Sequence, residues 1–170
     1  MKDVTVCVSK YYIISGGFDP IHEGHVENIK ESWARSDGVI VLLNSDEWLR
    51  RKRGCNFMNF YTRSTVIGCM KGVIDVISFD DSDGSACDGL RCVRSKYPRD
   101  TLVFAKGGDR TADNIPEISV CKELGIETRY DIGFAISGKR KPNSSSWILD
   151  KYVSNFIGKR TKKADNDTSS

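Results

Sequence analysis

Two histidines three residues apart, His22 and His25, close the run Gly16-Gly17-Phe18-Asp19-Pro20-Ile21-His22-Glu23-Gly24-His25. The apolar run Tyr11 to Ser15 precedes it, and Val26, Ile29 and Trp33 follow at helical spacing. The segment therefore reads as a strand, a tight glycine turn and the opening of a helix. A helix N-terminus presents unpaired N–H groups and about half a positive charge, and glycines let the chain pass close to a bound anion. Imidazoles at that opening can donate hydrogen bonds to a phosphate while negative charge builds on it. A metal pair or two surface histidines would use the same residue types, and the spacing alone leaves both open.

Three further stretches carry residues suited to phosphate. Arg50-Arg51-Lys52-Arg53 reads as an exposed loop of like charges, or weakly as a nuclear-localisation or nucleic-acid segment. Lys106-Gly107-Gly108-Asp109-Arg110 follows the apolar run Thr101 to Ala105, which puts glycines at a strand's carboxyl end, either as a pocket wall or as an ordinary turn. Ser144, Ser145 and Ser146 stand before Trp147, Ile148, Tyr152, Val153 and Phe156, the pattern of an N-capped amphipathic helix. Capping needs one hydroxyl; three, with Lys139, Arg140 and Lys141 just upstream, suit the β- and γ-phosphates of a nucleotide. Asn44-Ser45-Asp46 reads as turn and capping chemistry or as a ligand contact. Asp80, Asp81 and Asp83 lack the layout of a calcium loop and read as a solvated turn.

The elements that must position these residues alternate. Strands are expected within residues 4–15 and over 38–43, 73–79, 101–105 and 126–130, and helices over 24–36, 60–71, 85–96 and 114–124, with a last helix after Ser146. Continuous apolar strands alternating with helices specify an α/β fold: a single Rossmann-like domain with a mostly parallel sheet and helices on both faces. In such a sheet, ligands sit beyond the carboxyl ends of the strands; several of the phosphate-suited stretches fall at expected strand-carboxyl or helix-amino ends, which parallel topology brings to one edge. Residues 1–157 form the expected domain, and the polar composition of 158–170 predicts a disordered tail. Within 170 residues no apolar stretch approaches the ~20 of a membrane span, and the start Met1-Lys2-Asp3-Val4 lacks a signal-peptide layout, so the expected location is cytoplasmic. The six cysteines are scattered without a Cys-x-x-Cys pair, which favours free thiols over disulfides or zinc. A net charge of +3 is too small to require nucleic acid as a partner.

Gly-Phe-Asp followed by His-x-Gly-His resembles the nucleotidyltransferase superfamily that includes glycerol-3-phosphate cytidylyltransferase, ethanolamine-phosphate cytidylyltransferase and the heptose-phosphate adenylyltransferases. The run Lys106 to Asp109, with Asn114-Ile115-Pro116-Glu117 after it, resembles the sugar-phosphate branch. The resemblance implies transfer of a nucleoside monophosphate from a nucleoside triphosphate, CTP favoured, to a small phosphorylated metabolite. It implies Mg2+ held mainly by the nucleotide's phosphates, and an adenylyltransferase using ATP and a sugar phosphate, or an inactive nucleotide-binding module, stand as alternatives. It places His22, His25 and Lys52 at the reacting phosphates. Around the nucleotide it places Gly16, Gly17, Phe18, Asp19, Gly24, Arg63, Lys106, Gly107, Asp109, Ser144, Ser145 and Ser146. Relatives of this size are often dimers, so a homodimer is an open expectation. Two departures stand out. Ile74 replaces an acid that relatives often carry, and the serine triplet differs from the Arg-Thr-Glu-Gly-Ile-Ser-Thr-Thr form of the glycerol-phosphate enzymes. A dinucleotide-binding domain would share the βαβ start but needs Gly-x-Gly-x-x-Gly, which the first turn lacks.

Overall fold

The computed structural model describes residues 7–107, 116–132 and 144–155. Gly38-Val-Ile-Val-Leu-Leu43 explains the centre of the fold. Six residues with no charge can sit only where both faces of a strand are covered, and all six are buried in strand β2 (Gly38–Leu43). Its neighbours are β1 (Lys10–Gly16) and β3 (Val73–Ile77); β4 (Thr101–Gly107) and β5 (Glu127–Ile132) complete a five-stranded sheet in the order β3-β2-β1-β4-β5, every pair parallel.

Alternate residues of the strands feed two cores, as the two-residue period of a strand requires. Tyr12, Ile14, Val39, Val41, Leu43, Val103 and Ala105 face helices α1 (Glu23–Trp33) and α3 (Phe60–Gly68), which contribute Ile29 and Ile67. Ile13, Ile40, Leu42, Leu102 and Phe104 face α4 (Cys87–Lys96) and α5 (Glu117–Glu123), which contribute Leu90, Val93, Val120 and Cys121. From β1 the chain winds to β2 and β3 on one side, then crosses to β4 on the other. The strand order therefore reverses at the carboxyl ends of β1 and β4, and a crevice opens there. Among the described residues, no helix is long and apolar enough to cross a membrane.

Several expectations change. Arg50 to Arg53 form no loop; they are the last turn of α2 (Asp46–Arg53), where cations complement the negative end of the helix dipole, and Gly54 closes the helix at φ 81°. Ion pairs to Glu47, Asp81 and Asp19 engage Arg50, Arg51 and Arg53, so the run is not a free basic patch. Asp81 is buried rather than solvated: its carboxylate accepts hydrogen bonds from Asn44 Nδ2, Ser45 N and Ser45 Oγ and so fixes the β2–α2 junction. Ile74 lies at the amino end of β3, in the register shift opposite Val39 and Ile40, at the sheet end away from the crevice. Gly125, with φ 62°, follows the C-cap of α5 as a left-handed residue. A last helix, α6, covers residues 145–155. The expected tail 158–170, together with Gly108, Asp109, Arg110, Asn114, Ile115, Lys139, Arg140, Lys141 and Phe156, lies outside the described residues.

Candidate active site

A cavity of about 400 Å³ occupies the crevice. Its floor is the end of β1 and the turn after it, Ile14 to Phe18, with Ala105 of β4 and Ile132 of β5 beside them. Phe18 adopts a left-handed backbone (φ 51°), which costs a non-glycine residue on the order of 1–3 kcal/mol and persists where surrounding packing enforces it. Its ring is buried, lies against His25 at 4.6 Å between centroids, and covers Gly16. Gly17 has no room for a side chain: a Cβ there would stand 2.7 Å from Leu49 Cδ2, so α2 packs directly on the turn.

The two histidines cap α1 reciprocally. His22, the N-cap residue, accepts from Gly24 N through Nδ1 (3.1 Å), and His25 Nδ1 accepts from His22 N (3.3 Å). A backbone N–H can donate only to an unprotonated ring nitrogen, so both imidazoles carry their proton on Nε2, and Nε2–H is the donor each has left. The rings stack at 3.9 Å, 30° from parallel, and both line the cavity. Burial, helped by His22 and by the Arg53 guanidinium, pushes His25 down to about 3; burial also lowers His22, against the pull of Glu23. Both are therefore neutral donors at physiological pH.

Cations stand around them. Lys52 lines the cavity with its Nζ 4.4 Å over the Trp48 ring. On the opposite wall Lys106 Nζ is 3.1 Å from Glu117 Oε1, and the same oxygen accepts from Ala86 N (3.0 Å). This joins the end of β4 to the starts of α4 and α5. The serines close the rim. Ser144 Oγ caps α6 by accepting from Trp147 N (3.1 Å), Ser145 Oγ donates to Pro20 O (2.9 Å), and all three of Ser144 to Ser146 line the cavity.

Gly16, Gly17, Phe18, His22, His25, Lys52, Lys106 and the three serines are thus brought together, from segments up to 130 positions apart in sequence. Three residues expected at the nucleotide stand behind the wall instead. Asp19 is buried and accepts from Phe57 N and Met58 N, both at 2.8 Å. Gly24 is buried, its N–H given to His22. Arg63 is fully buried, and its guanidinium donates to Met58 O, Gly17 O, Asn44 O and Asp46 Oδ1 (2.6 Å), which ties the ends of β1 and β2 to α2. One sequence shows the arginine's charge but not the carbonyls that the fold gathers around it. Gly107 ends β4 opposite Ile132, and Asp109 is outside the described residues. Arg53, which the sequence offers with Arg51 as a reserve to Lys52 for phosphate, is on the cavity wall. Sequence reasoning missed Asn28, Trp48 and Glu117 there, of which Asn28, one helical turn beyond His25, had a positional signal.

Residues 13–151 match the family model described as Cytidylyltransferase-like. Among curated relatives, the Bifunctional protein HldE of Gluconobacter oxydans (strain 621H) is 31% identical over 119 residues, 69% of this chain and 23% of that protein. That of Azorhizobium caulinodans is 36% identical over 115 residues, 66% and 22% respectively. The chain spans about a quarter of the length of the curated relatives it matches. Among solved structures, the lipopolysaccharide core biosynthesis protein from Thermoplasma volcanium GSS1 superposes with a TM-score of 0.55 at 22% identity, over 72% of this chain and 93% of that one. The bifunctional NMN adenylyltransferase/ADP ribose pyrophosphatase from Francisella tularensis gives 0.60 at 16%, over 87% and 43%. At these identities the superpositions speak to the fold alone, a Rossmann-like parallel α/β sheet. With its matched region covering most of the sequence and the crevice as described, the chain belongs to the cytidylyltransferase-like family.

Proposed function

We propose that the chain transfers a nucleoside monophosphate from a nucleoside triphosphate, CTP as the favoured donor, to the phosphate of a small metabolite. The observation that carries this reading is the pair of neutral imidazoles whose Nδ1 atoms are tied to backbone N–H groups, leaving two fixed Nε2–H donors at a cavity ringed by cations. An oxygen of the acceptor phosphate attacks the α-phosphorus; the bond from that phosphorus to the α,β-bridging oxygen breaks, and pyrophosphate leaves with the bonding pair. His22 and His25 donate to the α-phosphate and bridging oxygens as charge grows on them, without transferring a proton. One such fixed donor is typically worth about 10²–10³-fold in rate. Lys52 and the serine rim hold the β- and γ-phosphates, and the rest of the acceleration comes from alignment.

Mg2+ fits this reading as part of the nucleotide substrate. The ion would be carried by the nucleotide's phosphate oxygens and water, with few protein ligands. The resemblance of the Lys106–Gly107 end of β4 to the sugar-phosphate branch supports a second reading, adenylyl transfer from ATP to a sugar phosphate. Thermal unfolding with Mg2+ and CTP, ATP, GTP or UTP in turn separates the two. A donor at about 100 times its Kd adds about 2.7 kcal/mol, roughly 5–10 °C for a chain of this size. A rise with CTP alone supports the first reading and one with ATP alone the second; no rise with any of the four contradicts both.

A further inference from the structure

We infer that Asn44 selects the acceptor, its Oδ1 taking a hydrogen bond from a hydroxyl on the uncharged group that carries the attacking phosphate; this rests on the nucleotidyl-transfer reading. Asn44 follows β2 directly, is 6% exposed and lines the cavity. Its other groups are engaged. Its N–H donates to Gly16 O (3.0 Å), its carbonyl accepts from Arg63 Nη1 (2.9 Å), and its Nδ2 donates to Asp81 Oδ2 (3.1 Å). An ionised carboxylate only accepts, so the amide must turn its NH2 to Asp81 and its Oδ1 away. No described residue donates to that oxygen, and it is not among the polar atoms sealed in the core. A rigid acceptor atom therefore opens into the cavity, held in place by Asp81.

Asp81 also shapes the space around that oxygen. Its carboxylate holds Ser45, the N-cap of α2, and its backbone carbonyl accepts from Gly84 N (3.0 Å), so the start of α2 and the loop before α4 are tied to one residue. Asn44, Trp48, Gly84, Ser85 and Ala86 accordingly line one lobe of the cavity, on the β2–β3 half of the sheet. Lys106, at the end of β4, and the serine rim belong to the nucleotide in the transfer reading, which leaves this lobe to the acceptor. Charge decides what kind of acceptor fits. Lys52, Arg53 and Lys106 line the cavity against one carboxylate, Glu117, already bonded to Lys106. Asp81, behind Asn44, is paired with Arg51 (3.7 Å). An ammonium on the acceptor would enter a cavity of net positive charge, where like charges repel; a hydroxyl brings the proton that Oδ1 accepts and no charge. Polyol and sugar phosphates therefore suit the lobe, and amino-alcohol phosphates do not.

The test is pyrophosphate release by the intact chain with CTP or ATP and Mg2+, compared across three kinds of acceptor. Sugar phosphates and glycerol 3-phosphate carry hydroxyls, phosphoethanolamine carries an ammonium, and propyl phosphate carries neither. Wild type should use its best hydroxylated acceptor with a kcat/KM about 10²-fold or more above that for phosphoethanolamine, a comparison that needs no variant. Asn44→Ala should raise KM for the hydroxylated acceptor about tenfold and narrow its advantage over propyl phosphate by the same factor, while the calorimetric Kd for nucleotide stays unchanged. The ratio of two acceptors on one sample does not depend on how much of a variant folds, so a merely structural loss would leave it where it was. Three results overturn the proposal while leaving nucleotidyl transfer standing: phosphoethanolamine or propyl phosphate used as well as every hydroxylated acceptor, an Asn44→Ala selectivity within about twofold of wild type, or a nucleotide Kd weakened as much as the acceptor KM. Wild-type protein that binds neither CTP nor ATP, or binds one and releases no pyrophosphate with any acceptor, overturns both.

Discussion

At the residue scale, the histidines do two jobs with one arrangement. Each Nδ1 satisfies a backbone N–H that a helix start would otherwise leave open, and the same bond decides which nitrogen is left to donate. The arrangement has a pH signature. An unfolded chain protonates His25 below its ordinary value of 6.5, whereas the folded chain resists until about 3. Between those limits the unfolded state binds more protons, so His25 makes folding stability rise with pH, by at most about 1.4 kcal/mol per unit, with its full contribution present above the unfolded value. Urea unfolding at pH 6.5 and 5.0 should therefore show wild type losing on the order of 1–2 kcal/mol more than His25→Gln. Equal losses would mean that the ring is not held neutral. The spacing of the two histidines was legible in the sequence; their tautomers were not, because these depend on which N–H groups the folded turn presents.

At the element scale, the cavity depends on how α2 is seated. Arg63 seats it from below by bonding Asp46 and the carbonyls of Gly17 and Asn44. Replacing it with alanine leaves the partly exposed Asp46 carboxylate and three carbonyls without their donor, and should lower stability by about 3–5 kcal/mol in urea unfolding. A variant with wild-type stability but weakened nucleotide binding would return Arg63 to the pocket. Gly17 seats α2 from the front. Gly17→Ala drives a methyl against Leu49, which is fully buried, and should cost about 1–3 kcal/mol while shifting the end of α2 that brings Lys52 and Arg53 to the cavity wall. An alanine variant with unchanged melting temperature and nucleotide affinity would show that the helix yields freely. Strand β2 was readable to the residue, since an uninterrupted apolar hexamer has few places to go. The end of α2 was not. Four consecutive cations look like a loop until the helix dipole, Glu47, Asp81 and Asp19 supply the charges that hold them.

At the scale of the whole molecule, parallel topology accounts for a site built from distant segments. Every strand delivers its carboxyl end to the same edge, so the turn after β1, the helix after β2, the end of β4 and the start of α6 meet around one cavity. That convergence could be argued from the strand–helix alternation before any coordinates. The pairing of Lys106 with Glu117 and of Ser145 with Pro20 could not, since each joins elements whose approach is set by packing over the full sheet.

The most direct test of the account is pyrophosphate release, measured with CTP or ATP, Mg2+ and a panel of phosphorylated small molecules. Release should require an acceptor, and kcat should be about 10²–10³-fold lower in His25→Ala with a smaller change in nucleotide affinity. Acceptor-dependent release at an undiminished kcat in His25→Ala, or nucleotide binding without release for any phosphorylated acceptor, would contradict it.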